Sequence, residues 1–224
     1  MSFKAALLAS AVALSGLVPA GPVRAGDTHP VTGEALADNQ DYTYWLLEAI
    51  KSMDPQINTD NEGGDVLRSL FEGLYNEDPM GNLVPGVALR HDLSEDKTVY
   101  TFHLRDDAVW SDGKPVTAGN FVDAWKRLAD PATASEYAWY MELMQIVNAK
   151  AAIAGDKSVD EMGVRAIDDR TLEVTLEAPL PYFPQMLPHA SVFPVREDVI
   201  AEFGDKWTNP EHLVGNGAYI LKEH

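Results

Sequence analysis

The chain has 224 residues, 17 basic against 35 acidic side chains and a formal net charge of −18. That field repels nucleic acid and anionic lipid and favours solubility, and the absence of cysteine excludes disulfide staples, thiolate metal sites and thiol nucleophiles. With 46% apolar residues the composition is that of a folded chain long enough for one or two cores.

The first 25 residues read as an export leader: Lys4 supplies a positive n-region, Ala5 to Val18 an apolar run, and Val23-Arg24-Ala25 a small-residue cleavage site. A membrane anchor needs about 20 apolar residues, and Pro19, Gly21, Pro22 and Arg24 interrupt the run too soon. The leader contains two basic residues and no acids, so the expected mature chain carries 15 basic and 35 acidic side chains. Without a cysteine for a lipid anchor, the expected address is the periplasm of a Gram-negative cell, as a free monomer with no membrane insertion and no nucleic-acid partner.

Gly26 to Asp41 is polar and predicts an extended arm. Tyr42 to Ile50 suits a buried strand, and its Leu46–Ile50 part equally suits a helix, stopped by Asp54-Pro55. Thr59–Gly64 (TDNEGG) predicts a loop. From Asp65 to Leu74 the residues Val66, Leu67, Leu70, Phe71 and Leu74 recur at helical spacing, and Asn76–Asn82 predicts a turn. Val87–Leu93 and Thr98–Leu104 predict a hairpin around the charged turn Ser94–Lys97. Asp112–Pro115 turns the chain, and Thr117 is placed to cap a helix over Ala118–Leu128, whose Phe121, Val122, Trp125 and Leu128 form one apolar face. Ser135–Asn148 predicts a further helix. Val164–Ile167 and Thr171–Glu177 predict a second hairpin, with Leu172, Val174 and Leu176 alternating onto one face. Four prolines across 179–188 predict a broken or short helical connection, Val195–Phe203 a short helix and Gly217–Leu221 a final strand. Meandering strands with interspersed helices predict an α/β class of the mixed α+β kind.

Catalytic motifs are missing. The sequence holds no P-loop, no G-x-G-x-x-G, no H-E-x-x-H and no G-x-S-x-G elbow, and its six histidines are scattered. It gives no sign of a cofactor or a metal, and His103 in its strand reads as packed or solvated. The many carboxylates leave a glycosidase-like pair open, although acidic residues at this density more often form a solvated face. Trp125 reads as core. Tyr137, beside Ser135 and Glu136, is open between packing and facing a cleft.

One run carries a family likeness. Thr101–Trp125 (TFHLRDDAVWSDGKPVTAGNFVDAW) resembles the signature of the family 5 extracellular solute-binding proteins, and the chain looks most like the oligopeptide-binding branch. Ser52–Gln56, Leu70–Leu74, Arg127–Tyr137, Ala166–Leu176, Phe203–Thr208 and Asn216–Tyr219 add to the likeness in order. The resemblance implies a type II periplasmic-binding-protein clamp, with lobe I in two segments (26–71 and 197–224) around an inserted connecting domain (72–196). It also implies that the second lobe, with the remaining site residues, lies outside this sequence, so the chain is expected to be a truncated form. The implied function is capture of oligopeptides for an inner-membrane ABC permease, without catalysis. The peptide would lie as an added strand held by main-chain hydrogen bonds, which nominates Thr59, Asp60 and Asn61, with Tyr137 as a contacting side chain. Rival ligands in the same family are a nickel chelate, haem, a murein peptide or an oligosaccharide; outside it, the rivals are a secreted hydrolase and a chaperone-like or sensory role.

Overall fold

A computed structural model describes Ala35 and residues 43–224. The leader, the arm apart from Ala35, and Tyr42 lie outside the described residues. Residues 46–224 form one compact unit, of mixed α+β architecture.

Its centre is a four-stranded antiparallel sheet in the order β3-β4-β6-β5, from strands β3 (Ala88–Leu93), β4 (Val99–Leu104), β5 (Val164–Asp168) and β6 (Thr171–Thr175). Alternation decides which face is buried, because successive side chains in a strand point to opposite sides. Tyr100, Phe102 and Leu104 of β4 are buried, as are Leu172 and Val174 of β6. The register sets Phe102 opposite Leu172 and Tyr100 opposite Val174, so their side chains share one apolar face. Lys97 takes the left-handed conformation (φ 61°) in the β3–β4 turn. A smaller hairpin, β1 (Tyr75–Glu77) with β2 (Leu83–Pro85), occupies the segment predicted as a simple turn.

Helix α1 spans Asn61–Leu70 and α2 spans Ala118–Ala129. α2 packs against β5 and β6, and its Phe121, Trp125 and Leu128 are fully buried. Thr117 caps it as expected: the Asn120 Oδ1 accepts from the Thr117 N–H at 2.9 Å and lies 3.3 Å from the Thr117 hydroxyl. The Trp125 indole N–H donates to the Val192 carbonyl at 2.9 Å, so the ring's one polar atom is satisfied inside the core. The short helices α3 (Trp139–Leu143), α4 (Ala149–Ile153), α5 (Phe183–Met186) and α6 (Glu197–Phe203) complete the unit.

Four further expectations fail, three for identifiable physical reasons. Thr59–Gly64 is not a loop throughout, because α1 starts at Asn61, inside it. The extended Asp60 caps the helix, its carboxylate accepting from the Gly63 N–H at 2.6 Å. Ser135–Asn148 is not one helix. Gln145 and Asn148 are left-handed (φ 55° and 62°), and Val147 donates instead to the Thr175 carbonyl at 3.0 Å, so pairing with the end of β6 overrides local propensity. Gly217–Leu221 is no strand. Gly217 and Tyr219 donate to the Leu70 and Ser69 carbonyls at 2.9 and 3.0 Å, satisfying acceptors that the end of α1 leaves open. A Cβ on Gly217 would sit 2.5 Å from the Leu70 carbonyl carbon, so only glycine permits this approach. Residues 43–50 adopt neither strand nor helix.

Candidate functional site

The segment Asp54–Asn61 is built by its own polar groups. The Asp54 carbonyl accepts from the Ile57 and Asn58 N–H groups, and its carboxylate from the Gln56 N–H. The buried Asn58 amide donates to the Ser52 carbonyl and to the Asp60 carboxylate, both at 3.0 Å. The chain therefore reaches Asp60 in an extended conformation (φ −106°, ψ 154°) before α1 begins.

Asp60, Asn61 and Tyr137 line one cleft of about 320 Å³, together with Asp65, Arg68 and His189. Thr59 does not line it. Its side chain is half-buried, and its main-chain N–H and C=O make no hydrogen bond among the described residues. The Asp60 carboxylate is already occupied: it accepts from the Gly63 N–H, from Asn58 and from the Lys51 N–H at 3.1 Å. It serves as a cap and loop tie, which leaves the backbone as what this segment can offer a ligand.

Tyr137 is half-buried, and its ring centroid lies 4.9 Å from that of His189 and 5.8 Å from that of Trp139. Its hydroxyl makes no hydrogen bond among the described residues, so it is free to donate or accept at the cleft. Tyr140 differs: its hydroxyl donates to the Met186 carbonyl at 3.0 Å, and burial pushes its pKa up to about 12.

Sequence reasoning missed His189, a lone histidine after a proline with no spacing to mark it. Its ring stacks on Tyr140 at 4.5 Å. Nδ1 accepts from the Ser191 N–H at 3.3 Å and lies 2.7 Å from the Ser191 hydroxyl, which leaves the proton on Nε2. Burial, with the charge of Arg68 adding to it, holds its pKa below the ordinary histidine value. The cleft thus presents a neutral imidazole, a free phenol and the Asp60 N–H, which has no partner among the described residues, a set suited to binding. His103 is tied to Asp92 at 2.7 Å.

A second cleft of about 660 Å³ borders the first through Arg68 and is flanked by Glu72, Arg105 and Asn216. These polar groups already satisfy one another: Arg105 pairs with Glu72 at 2.7 Å, and the Asn216 amide bonds both the N–H and the C=O of Glu72. The smaller cleft is therefore the better candidate, despite its size. Among the described residues no group of three or more histidines and carboxylates could hold a metal, and no helix is long and apolar enough to cross a membrane.

A fold of this kind around such a cleft is that of a bacterial solute-binding protein. Residues 82–224 match the family described as bacterial extracellular solute-binding proteins, family 5 (middle), and the chain belongs to that family. It is 45% identical over 219 residues to the periplasmic oligopeptide-binding protein OppA of Salmonella typhimurium, covering 98% of this chain and 40% of that protein. It is 42% identical over 220 residues to the periplasmic murein peptide-binding protein MppA of Escherichia coli, covering 97% and 38%. The structure of Haemophilus influenzae OppA in complex with RPPGFSPFR superposes with a TM-score of 0.75 at 44% identity, over 77% of this chain and 34% of that one. The chain thus spans about two fifths of the length of the curated relatives it matches.

Proposed function

We propose that this chain supplies one wall of an oligopeptide-binding cleft in a periplasmic solute-binding protein that delivers peptides to an ABC permease and releases them unaltered. The observation that carries the reading is Thr59 and the extended Asp60, where the Thr59 N–H and C=O and the Asp60 N–H have no partner among the described residues and sit beside the cleft holding Tyr137. An extended peptide can add to such a stretch as a strand. Main-chain bonding is indifferent to side-chain identity, so it suits a carrier of varied peptides. The names of the oligopeptide-binding and murein peptide-binding relatives support a peptide ligand and a periplasmic address. In this reading residues 72–196 are a connecting domain inserted between two segments of lobe I, and Thr59, Asp60 and Asn61 contribute backbone while Tyr137 contributes a side chain. The leader at 1–25 directs export. The murein peptide reading keeps the same chemistry and differs only in the peptide.

The test is a chimera in which this chain replaces the matching two fifths of Salmonella OppA. Calorimetry with trialanine is expected to show binding tighter than about 10 μM. Tyr137→Ala should weaken it roughly tenfold or more, whereas Thr59→Ala should leave it within about twofold, because backbone contacts survive side-chain truncation. No binding by the chimera, or turnover of the peptide, would overturn the reading.

A further inference from the structure

Two nominated elements of the cleft, the Thr59–Asn61 stretch and Tyr137, lie far apart in sequence, and a single buried polar network holds them together. Arg127, in the last turn of α2, is mostly buried and donates to both oxygens of the buried Asp54, at 2.9 and 2.6 Å. The same guanidinium donates to the Gln56 Oε1 at 2.8 Å. The Gln56 amide continues to the Ser191 and Phe193 carbonyls at 3.2 and 3.1 Å, and the Trp207 indole N–H donates to Asp54 at 3.2 Å. Ser135 closes the link: its hydroxyl donates to the Gln56 carbonyl and accepts from the Tyr137 N–H at 3.1 Å. Neither Arg127 nor Ser135 lines the candidate cleft.

We propose that Arg127 and Ser135 are positioning residues for the cleft, Arg127 setting the loop that presents the Thr59–Asp60 backbone and Ser135 locking Tyr137 to that loop. The inference rests on the peptide-cleft reading for its purpose, but its geometry stands apart from any ligand. A fork with donors in one plane is what the arrangement needs. Arg127 meets two carboxylate oxygens and an amide oxygen at once, which a lysine point charge cannot do. The Ser135 bond acts by limiting how far Tyr137 strays from its working position.

Amide hydrogen exchange on the 224-residue chain tests this without any ligand. Arg127→Lys is expected to keep the thermal midpoint within a few degrees, yet speed exchange at Gln56 and Asn58 about tenfold, while sheet amides such as Phe102 and Val174 hold. Ser135→Ala, the milder change, should speed exchange at the Tyr137 amide about tenfold and shift the Tyr137 ring resonances, with the midpoint unmoved. In the chimera, Ser135→Ala should weaken trialanine binding about tenfold, because nothing then ties Tyr137 to the Gln56 carbonyl. Exchange rising uniformly with a falling midpoint would show a purely structural role and overturn the proposal, as would unchanged loop and Tyr137 amides in both variants. If the unsubstituted chimera ignores trialanine, the peptide reading fails, while the exchange data still decide the positioning role.

Discussion

Two adjacent glycines in the first turn of α1 should respond to alanine with opposite signs. Helix propensity alone predicts a gain of about 0.5–1 kcal/mol for either change. At Gly64 the gain is expected, because the nearest atom to a new Cβ is the end of the flexible Arg68 side chain at 3.8 Å. At Gly63 the new Cβ would fall 1.9 Å from the Asn58 Nδ2 and 2.8 Å from its Cγ. Asn58 is buried and cannot swing into water without giving up its bonds to the Ser52 carbonyl and the Asp60 carboxylate. Losing two such bonds costs about 1–3 kcal/mol and overpacking a further 1–3 kcal/mol. Partial relaxation and the propensity gain offset part of that. The net expectation is a destabilisation of about 1–3 kcal/mol for Gly63→Ala, separating the two variants by roughly 2–4 kcal/mol. Urea unfolding followed by tryptophan fluorescence measures it directly, and thermal midpoints should differ by roughly 5–10 °C. If both variants shift the same way by the same amount, the packing of Asn58 against Gly63 does not govern this turn, and the account of how the loop enters α1 is wrong.

A second expectation concerns acid. Burial holds the pKa values of His91 and His189 below the ordinary value, with Arg68 adding at His189 and Asp92 opposing at His91. The unfolded chain therefore takes up protons first as pH falls through about 6.5, so stability is full above that point and declines toward the folded values. The urea midpoint should hold from pH 8 to 7 and fall between about 6.5 and 5, with a shallower decline in His189→Gln; a flat profile in the unsubstituted chain would refute this. Third, the Arg196 guanidinium is almost fully buried, bonds Asp198 at 2.7 and 2.6 Å and Asp112 at 2.8 Å, and lies 5.9 Å from the Trp110 ring centroid. Hydrogen bonding from Arg196, with its charge adding to it, also draws the Asp198 carboxyl well below the usual range. Both carboxylates can turn to water once released, so Arg196→Met should cost about 1–3 kcal/mol, less than the loss of a fully buried pair. An unchanged urea midpoint would show that this cluster does not tie α6 to the Asp112 turn.

Much of the architecture was legible because its signals are local. The alternation of Tyr100, Phe102 and Leu104, and of Leu172 and Val174, marks half-buried strands whatever surrounds them, and both hairpins formed where predicted. The face of α2 and its start at Thr117 were equally plain. Tyr137 was singled out by its place beside Ser135 and Glu136, the family likeness then favouring a contacting role, and the structure puts it in one cleft with Asp60 and Asn61. Thr59 falls outside the lining, and the Asp60 side chain proves to be a helix cap.

The sequence by itself determined the sheet's inner face, the amphipathic helix and the family, because each is written in residue types at short, regular spacing. The tertiary structure alone decided why the segment around Gln145 breaks, and that His189 and Arg127 belong with the cleft. Those outcomes depend on partners 28 to 153 positions distant in sequence, such as Val147 on Thr175, Gln56 on Phe193 and Trp207 on Asp54. No periodicity within a short window encodes such a meeting, because it comes from the closing of the whole chain around one core.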